Sequence, residues 1–200
     1  MLILNYSNII DPLLRDVRTF TAEFSEAKRK DKILDICCGT GDQLFYFSKL
    51  GVEAVGIDIN LKMIKIAEKR KNKLGIKDIS FLVGDATKLP FKENSFDIAL
   101  ISLSLHEVEE DLRNKIISEM KRVVKKDGFL IFIDFKAPLP KILPALFIKT
   151  VEYLAGKENF KSYLENGGLP VLLERNKLKL GKIDYLMSDL IVVIKTKNTL

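Results

Sequence analysis

Apolar and polar positions along the chain follow two different periods. Continuous apolar runs predict buried strands at residues 32–37, 52–57, 79–83, 96–102 and 129–135. Between them, apolar residues at helical spacing predict amphipathic helices at residues 42–50, 61–73 and 109–124. Because strands and helices alternate in β-then-α units, the pattern predicts an α/β fold in which a mostly parallel sheet carries helices on both faces.

The two ends of the chain and one internal segment depart from this alternation. Residues 1–30 predict a helical segment, whose apolar stripe comprises Ile9, Ile10, Leu13, Leu14, Val17, Phe20 and Phe24. Residues 138–176 predict a helical insertion after the fifth strand. Residues 177–187 and 190–196 predict two further strands, which must be antiparallel because only a short connection joins them. No repeat or linker divides the sequence, so we expect a single domain over residues 1–200.

The composition narrows the class of protein without identifying a partner. The formal net charge of +6 comes from scattered lysines and not from a concentrated basic stripe, so we expect no nucleic acid partner. Cys37 and Cys38 are adjacent and badly placed to bridge each other, and His106 is the only histidine, so we expect no metal site. The sequence has neither a signal peptide pattern nor an apolar run long enough to span a bilayer, which predicts a cytoplasmic protein.

The glycine turn, Gly39-Thr40-Gly41, is the strongest chemical signal in the sequence. It follows the first strand and opens a helix, so the backbone can pass close to a ligand and offer N–H groups to it. A generic dinucleotide turn is one interpretation. Two residues argue against it: Leu44 stands where the third glycine of G-x-G-x-x-G belongs, and Asp42 would repel a pyrophosphate. A zwitterionic methionine group would tolerate Asp42 better.

Acidic residues end the first three strands or lie near their ends. Asp58 ends the second strand, 23 positions after Asp35, where a carboxylate can accept hydrogen bonds from both hydroxyls of a ribose. The alternative is that Asp58 caps the next helix. Asp85 follows the third strand and can accept from an adenine amino group, while the Ala86 N–H can donate to the ring. The alternative there is a simple turn.

Five segments, taken together and in order, resemble the motifs of class I S-adenosylmethionine-dependent methyltransferases. They are residues 35–41 (DICCGTG), 55–60 (VGIDIN), 84–90 (GDATKLP), 94–97 (NSFD) and 124–129 (VKKDGF). The DxxCGTG form is similar to that of the ubiquinone/menaquinone-biosynthesis methyltransferases. The resemblance implies a Rossmann-like three-layer sandwich, with a seven-stranded sheet in the order 3-2-1-4-5-7-6 and strand seven antiparallel.

The resemblance also implies roles for residues at the first two strands. Gly39 and Gly41 would pass under the methionine part of S-adenosylmethionine, and Asp35 would reach its amino end. Asp58 would bind the ribose, and Ile59 would line one face of the adenine.

The remaining implied roles follow strands three, four and five. Asp85 and Ala86 would bind the adenine edge, and Ser102 would lie beneath the methyl group, on the acceptor side of the cofactor. His106 is the candidate general base, since an acceptor must lose a proton and imidazole titrates near neutrality. Asp134 occupies the position of an acidic residue in the quinone-pathway relatives and could hold or deprotonate the acceptor. A structural or solvated role is the alternative for both residues.

These expectations combine into a methyltransferase that acts on a small or lipid-like acceptor, such as a quinone precursor. Residues 102–106 read SLSLH instead of the N/D-P-P-Y motif, which argues against DNA adenine and protein glutamine as acceptors. Residues 138–176 are the candidate acceptor lid, with peripheral membrane contact as one option and packing on the sheet as another. The alternatives are a non-catalytic S-adenosylmethionine-binding regulatory module, an RNA or protein methyltransferase, and a nicotinamide dehydrogenase. We expect a monomer or a homodimer.

Overall fold

The computed structural model describes residues 14–141 and 158–199. The strands are β1 Lys32–Ile36, β2 Glu53–Asp58, β3 Ile79–Val83, β4 Phe96–Ser102, β5 Val124–Phe135, β6 Lys182–Leu186 and β7 Ile191–Lys197. The helices are α1 Arg15–Ser25, α2 Asp42–Phe47, α3 Leu61–Leu74, α4 Glu110–Val123, α5 Glu158–Glu165 and α6 Gly168–Arg175. Short 3₁₀ turns cover Ser48–Leu50 and Leu105–Glu107.

The strands form a seven-stranded sheet in the order β3-β2-β1-β4-β5-β7-β6. The pairs β1–β2, β2–β3 and β4–β5 are parallel, whereas β7 runs antiparallel to β5 and β6. This is the predicted α/β strand order, and the predicted antiparallel hairpin at the end of the chain is confirmed. The chain divides into two compact units, residues 1–86 and residues 87–200.

The first unit contains α1 to α3 and β1 to β3. The last four residues of β1 are buried, as expected for a parallel strand covered on both faces. Asn60 caps α3, because its Oδ1 accepts the Lys62 N–H at 3.0 Å, and Gly75 ends α3 in the left-handed conformation. Gly51 ends the 3₁₀ turn after α2 in the same conformation, as is common for a glycine that follows a helix.

The apolar stripe predicted at the N-terminus is confirmed where the structure describes it. Val17 and Phe24 are buried on α1, Leu14 is buried directly before it, and the Phe20 ring stacks on that of Phe24 with centroids 5.2 Å apart. Ile9, Ile10 and Leu13 lie outside the described residues.

The second unit contains β4 to β7 and α4 to α6. Half of the twelve residues of β5 are buried, and the strand lies between its partners β4 and β7. It begins at Val124, five residues before the predicted start at residue 129. The predicted helical insertion, residues 138–176, contains α5 and α6 in its described part. Residues 142–157 of the insertion lie outside the described residues.

The connection between β3 and β4 is a loop that contains Pro90, as the sequence predicts. Residues 84–95, between β3 and β4, form turns and bends and contain no helix. Pro90 interrupts the segment, and Leu89 is buried while its N–H donates to Glu119 Oε2 at 2.7 Å. A side chain from α4 therefore satisfies backbone that a helix would otherwise have satisfied.

No helix within residues 14–141 and 158–199 combines the length and the apolar character needed to cross a membrane.

Candidate functional site

The first unit gathers the residues predicted around the glycine turn at the carboxyl ends of β1, β2 and β3. Ile36 pairs with Ile57 in register, and Asp58 pairs with Val83. The Cys38 N–H extends the ladder by donating to the Ile57 carbonyl at 3.0 Å. Because parallel strands end at the same edge of a sheet, the loops that follow them lie together, where open α/β sheets bind ligands.

The glycine turn itself needs glycine for two different reasons. Gly39 and Gly41 both have positive φ, of 53° and 73°. A Cβ on Gly41 would overlap the ring of Phe81, so this position serves packing within the unit. A Cβ on Gly39 would meet no atom within 4 Å, so Gly39 faces open space. The backbone at Gly39 is thus accessible to a ligand, whereas that at Gly41 is covered.

Asp58 connects the glycine turn to the loop after β2. Its Oδ2 accepts the Gly39 N–H at 2.8 Å, and its Oδ1 accepts the Asn60 N–H at 2.8 Å. The alternative that Asp58 caps α3 is wrong, since Asn60 provides that cap. A carboxylate oxygen has two lone pairs, so each oxygen of Asp58 can still accept from a ribose hydroxyl.

The buried acid Asp35 has a strongly raised pKa. It lies on β1 with 2% of its surface exposed, and no described residue donates a hydrogen bond to its buried Oδ2. Burial raises the pKa of Asp35 to about 8, the positive charge of Arg18 lowers it, and the negative charge of Asp58 raises it. A buried carboxylate oxygen without a partner is costly, unless a ligand supplies the missing donor.

Asp42, the first residue of α2, lies between two arginines. Arg18 of α1 contacts its Oδ2 and Arg70 of α3 contacts its Oδ1, and we call these three residues the arginine clamp. Arg70 also donates to Thr40 Oγ1 at 3.2 Å, and Gln43 Nε2 donates to the Arg18 carbonyl at 3.0 Å. The expectation that Asp42 presents a repulsive charge to a ligand is therefore wrong, because two guanidinium groups neutralise it.

Three further predicted residues follow β2 and β3. The side chain of Ile59 is 74% exposed, which is unusual for a large aliphatic residue. Asp85 is exposed and Ala86 is half-buried in the turn after β3, where the Gly84 N–H donates to the Asp58 carbonyl at 3.0 Å. All three thus lie just after β2 or β3, at the edge of the sheet where Asp58 ends β2.

The second unit brings the two predicted catalytic residues into direct contact. His106 Nδ1 lies 2.6 Å from Asp134 Oδ1, and the His106 N–H donates to Asp134 Oδ2 at 3.1 Å. Asp134 is fully buried, and its Oδ1 also accepts the Phe135 N–H at 2.8 Å. An ionised Asp134 favours the tautomer with the proton on Nδ1, which leaves the lone pair on Nε2 as the basic site.

Three aromatic rings contact the His106 ring of the His106–Asp134 pair. Phe135, Phe160 and Tyr163 all meet the His106 ring edge-on, with centroids 4.9, 5.4 and 6.3 Å away. His106 is only 3% exposed, so the alternative of a solvated histidine is wrong. Its Nε2 lies 3.9 Å from Glu107 Oε1, and the Glu107 side chain is half-exposed.

Arg113 of α4 holds the backbone around the His106–Asp134 pair through hydrogen bonds. It is 2% exposed, its Nε donates to the Leu105 carbonyl at 2.8 Å, and its Nη2 donates to the Asn159 carbonyl at 2.7 Å. Asn159 in turn donates to the Glu107 carbonyl at 2.9 Å, and Tyr163 Oη donates to the Phe135 carbonyl at 2.9 Å. The helix α5 is thereby fastened over His106.

Ser102, the last of the predicted site residues, ends β4 in the second unit. It pairs in register with Ile133 and is half-buried, and its carbonyl accepts the Ser104 hydroxyl at 3.0 Å.

The sequence did not reveal the arginines of either site. Arg18 and Arg70 lie 24 and 28 positions from Asp42, and a contact over that distance leaves no local pattern. A weak signal was available, since Arg70 is the single arginine among the five lysines of α3. Arginine is favoured over lysine where a planar carboxylate must be held.

A family model described as a methyltransferase domain matches residues 34–132 of the chain. Among curated proteins, the demethylmenaquinone methyltransferase of Paenarthrobacter aurescens is 36% identical over 137 residues, which is 68% of this chain and 50% of that protein. The ubiquinone/menaquinone biosynthesis C-methyltransferase of Pectobacterium carotovorum is 37% identical over 134 residues, which is 65% of this chain and 53% of that protein. The chain thus spans about half the length of these relatives.

Solved structures share the fold at lower identity. A structure described as a SAM dependent methyltransferase from Aquifex aeolicus matches with a TM-score of 0.70 and 23% identity, covering 91% of this chain and 89% of its own. A protein from Pyrococcus horikoshii matches with a TM-score of 0.73 and 21% identity, covering 92% and 89%. These likenesses extend the shared fold beyond the segment that the family model matches.

Proposed function

We propose that this chain, whose residues 34–132 match a family model described as a methyltransferase domain, is an S-adenosylmethionine-dependent methyltransferase of class I. The acceptor in this proposal is a small or lipid-like molecule of the quinone-precursor class, by analogy with the names of the curated relatives. The observation that carries the proposal is the buried, unpartnered Oδ2 of Asp35 beside the glycine turn. Such an atom fits the ammonium group of an amino acid moiety.

Other residues of the first unit suit the remaining parts of the cofactor in this proposal. The open space at Gly39 leaves room for a ligand chain, and the remaining lone pairs of Asp58 suit the two hydroxyls of a ribose. Exposed Ile59 offers an apolar surface to an adenine face, and Asp85 and Ala86 lie at the adjacent strand end. Bound S-adenosylmethionine supplies a methyl group on a sulfonium, and the residues of this chain position it.

The second unit supplies the proposed base. In this role His106 Nε2 accepts the proton that an acceptor hydroxyl or activated ring carbon loses, while Asp134 stabilises the resulting imidazolium. The aromatic rings of Phe135, Phe160 and Tyr163 provide an apolar surrounding that favours exclusion of water. Ser102 stays a proposed cofactor-binding residue.

The insertion is the proposed acceptor lid. Its described part, α5 and α6, carries Phe160 and Tyr163 against His106 and is held by Asn159 and Arg113. This placement favours a role in enclosing the acceptor over packing that is unrelated to the site. We also propose that residues 1–200 act as a single domain.

Calorimetry with wild-type protein and with Asp58→Ala tests the cofactor. We expect binding of S-adenosylmethionine and S-adenosylhomocysteine at micromolar Kd, no binding of NADH, and a loss of at least about 100-fold in affinity in Asp58→Ala, since the variant loses the ribose partner and the anchor of Gly39. The exposed Asp78→Asn serves as the control and should bind like wild type. Binding of NADH alone, or of none of the three ligands, would overturn the proposed function.

Turnover measurements on His106→Ala and Asp134→Ala separate an enzyme from a non-catalytic regulatory module. We expect kcat to fall by about 100-fold or more in both variants with a demethylated quinol as acceptor, because general base catalysis contributes that much. Cofactor affinity should stay within about twofold of wild type, since neither residue is among those proposed to bind the cofactor. Tyr163→Phe, which keeps the ring beside His106 and loses the hydroxyl that donates to the Phe135 carbonyl, is the matched control. Unchanged kcat in the alanine variants would contradict the proposal that His106 is the general base and Asp134 its partner.

A further inference from the structure

Arg113 is a buried arginine of α4, and the proposed proton transfer does not involve it. It is 2% exposed, its Nε donates to the Leu105 carbonyl at 2.8 Å, and its Nη2 donates to the Asn159 carbonyl at 2.7 Å. Its guanidinium also lies over the Tyr163 ring, 5.6 Å from the centroid. Because burial of a guanidinium is costly, the two hydrogen bonds explain an arginine at this position better than packing alone does.

The two carbonyls that Arg113 binds belong to the elements that enclose His106. Leu105 directly precedes His106 in its 3₁₀ turn, and Asn159 lies in the first turn of α5. Asn159 also binds the turn itself, because its Nδ2 donates to the Glu107 carbonyl at 2.9 Å. The carbonyls on both sides of His106 are thus held by Arg113 and Asn159, which are hydrogen-bonded to each other.

The His106 ring is oriented from β5 and from α5. Asp134 on β5 lies 2.6 Å from Nδ1 and accepts the His106 N–H at 3.1 Å, and the sheet fixes Asp134 by pairing it with Val192. Phe160 and Tyr163 on α5 meet the ring edge-on. A shift of the turn against the sheet would therefore move both the ring and the N–H of His106 away from Asp134.

We propose that Arg113 is a positioning residue for His106, which holds the turn so that Nδ1 stays on Asp134 and Nε2 keeps one orientation as the proposed base. This inference rests on the proposed function. In this role Arg113 touches neither the acceptor nor the transferred proton and acts only through His106. The role needs the planar fork of a guanidinium, whose separate nitrogens reach two carbonyls at once, whereas lysine keeps the charge but carries its donors on a single atom.

His106 can be observed directly by NMR of its ring nitrogens, because it is the only histidine of the chain. In wild type at about pH 9 we expect the two signals of one fixed tautomer, with the proton on Nδ1. In Arg113→Gln both signals should move toward the average of the two neutral tautomers, since a ring that leaves Asp134 exchanges its proton between the nitrogens. In Arg113→Lys they should move less. Unchanged signals in folded Arg113→Gln would overturn the inference. If that variant does not fold, unchanged signals in Arg113→Lys would do so.

Arg122→Lys is the matched control for these variants. Arg122 lies on the same helix, and its guanidinium also donates to two main-chain carbonyls, those of Phe91 and Leu89, at 2.8 and 3.0 Å. The control loses the same kind of hydrogen bonds without touching the turn, so its His106 signals should be those of wild type. An equal change in Arg122→Lys and Arg113→Lys would contradict the inference, because loosening of α4 would then explain both.

Turnover with a demethylated quinol separates this inference from the proposed function. We expect kcat to fall by about 100-fold in Arg113→Gln and by about 10-fold in Arg113→Lys, because a displaced base transfers protons poorly. The Kd for S-adenosylmethionine should stay within about twofold of wild type. In a His106→Ala background, Arg113→Lys should lower kcat further by less than about twofold, since the residue on which it acts is gone.

Equal losses of kcat on Arg113→Lys substitution in the wild-type and His106→Ala backgrounds would overturn the inference alone. A His106→Ala variant with the kcat of wild type would overturn the base role in the proposed function, whatever the nitrogen signals show.

Discussion

Asp35→Asn is expected to raise the free energy of unfolding in alkaline solution while it weakens cofactor binding. Burial raises the pKa of Asp35 from 3.8 to about 8 in the folded protein, so the folded chain retains a proton that the unfolded chain releases. Between these two pKa values the folded state binds more protons, and its stability therefore falls as the pH rises from about 4 to 8. Above pH 8 the loss is complete, because both states are then ionised.

The asparagine side chain does not ionise in this pH range, so its contribution to stability does not change with pH. The difference in unfolding free energy between Asp35→Asn and wild type should grow by about 4 kcal/mol from pH 5 to pH 9 in the absence of ligand, since each pH unit below the folded pKa contributes about 1.4 kcal/mol. Urea unfolding at the two pH values measures this difference. The exposed Asp78→Asn should show no such change, and an equal change in both variants would contradict the assignment to Asp35.

The same substitution should have the opposite effect on the cofactor. In the proposed site the Asp35 carboxylate pairs with the cofactor ammonium, and an amide cannot supply the charge, so we expect affinity for S-adenosylmethionine at pH 8 to fall by about 100-fold. At pH 6 the loss should be smaller, because wild type must first release a proton. Calorimetry at pH 6 in buffers of different ionisation enthalpy should detect that proton in wild type and none in Asp35→Asn.

Most of the fold could be predicted because its signals are local. The parallel strands β1 and β4 are buried on both faces and read as apolar runs, and the helix ends at Gly51 and Gly75 coincide with left-handed residues. The contact that holds the loop from β3 to β4 was not predictable in the same way. It comes from Glu119, which accepts the Leu89 N–H and lies 30 positions away from it.

The residues of the candidate sites differ in the same way, since some stand in local motifs and others are joined only by long-range contacts. Asp35, Asp58 and the glycine turn stand in recognisable motifs, so the amino-acid sequence is enough to locate them. The contact between His106 and Asp134 joins residues 28 positions apart, and no periodicity indicates it. The neutralisation of Asp42 could not be predicted for the same reason, since the arginines that contact it come from two other helices.

Gly39 and Gly41 show how two residues of one motif can differ in physical role. In the sequence they are equivalent members of G-x-G, and both adopt positive φ. Only the structure separates Gly41, which packs against Phe81, from Gly39, whose missing side chain leaves open space. A substitution at Gly39 can therefore test the ligand path without disturbing the core of the unit.

Gly39→Ala is expected to lower affinity for S-adenosylmethionine by about 100-fold while the fold persists. Alanine retains the N–H that Asp58 accepts, and its methyl group meets no protein atom within 4 Å, so the added methyl would occupy only the space proposed for the ligand. Backbone strain at positive φ should cost about 1 kcal/mol of unfolding free energy.

Gly75→Ala provides a matched control for that strain. Gly75 ends α3 with a φ of 66°, close to the 53° of Gly39, and a Cβ there also meets no atom within 4 Å. Both variants should therefore lose similar unfolding free energy in urea, and only Gly39→Ala should lose cofactor affinity by calorimetry. If both variants bind S-adenosylmethionine as wild type does, the cofactor does not pass over the glycine turn. If both lose affinity equally, strain in the unit and not occupied space explains the loss.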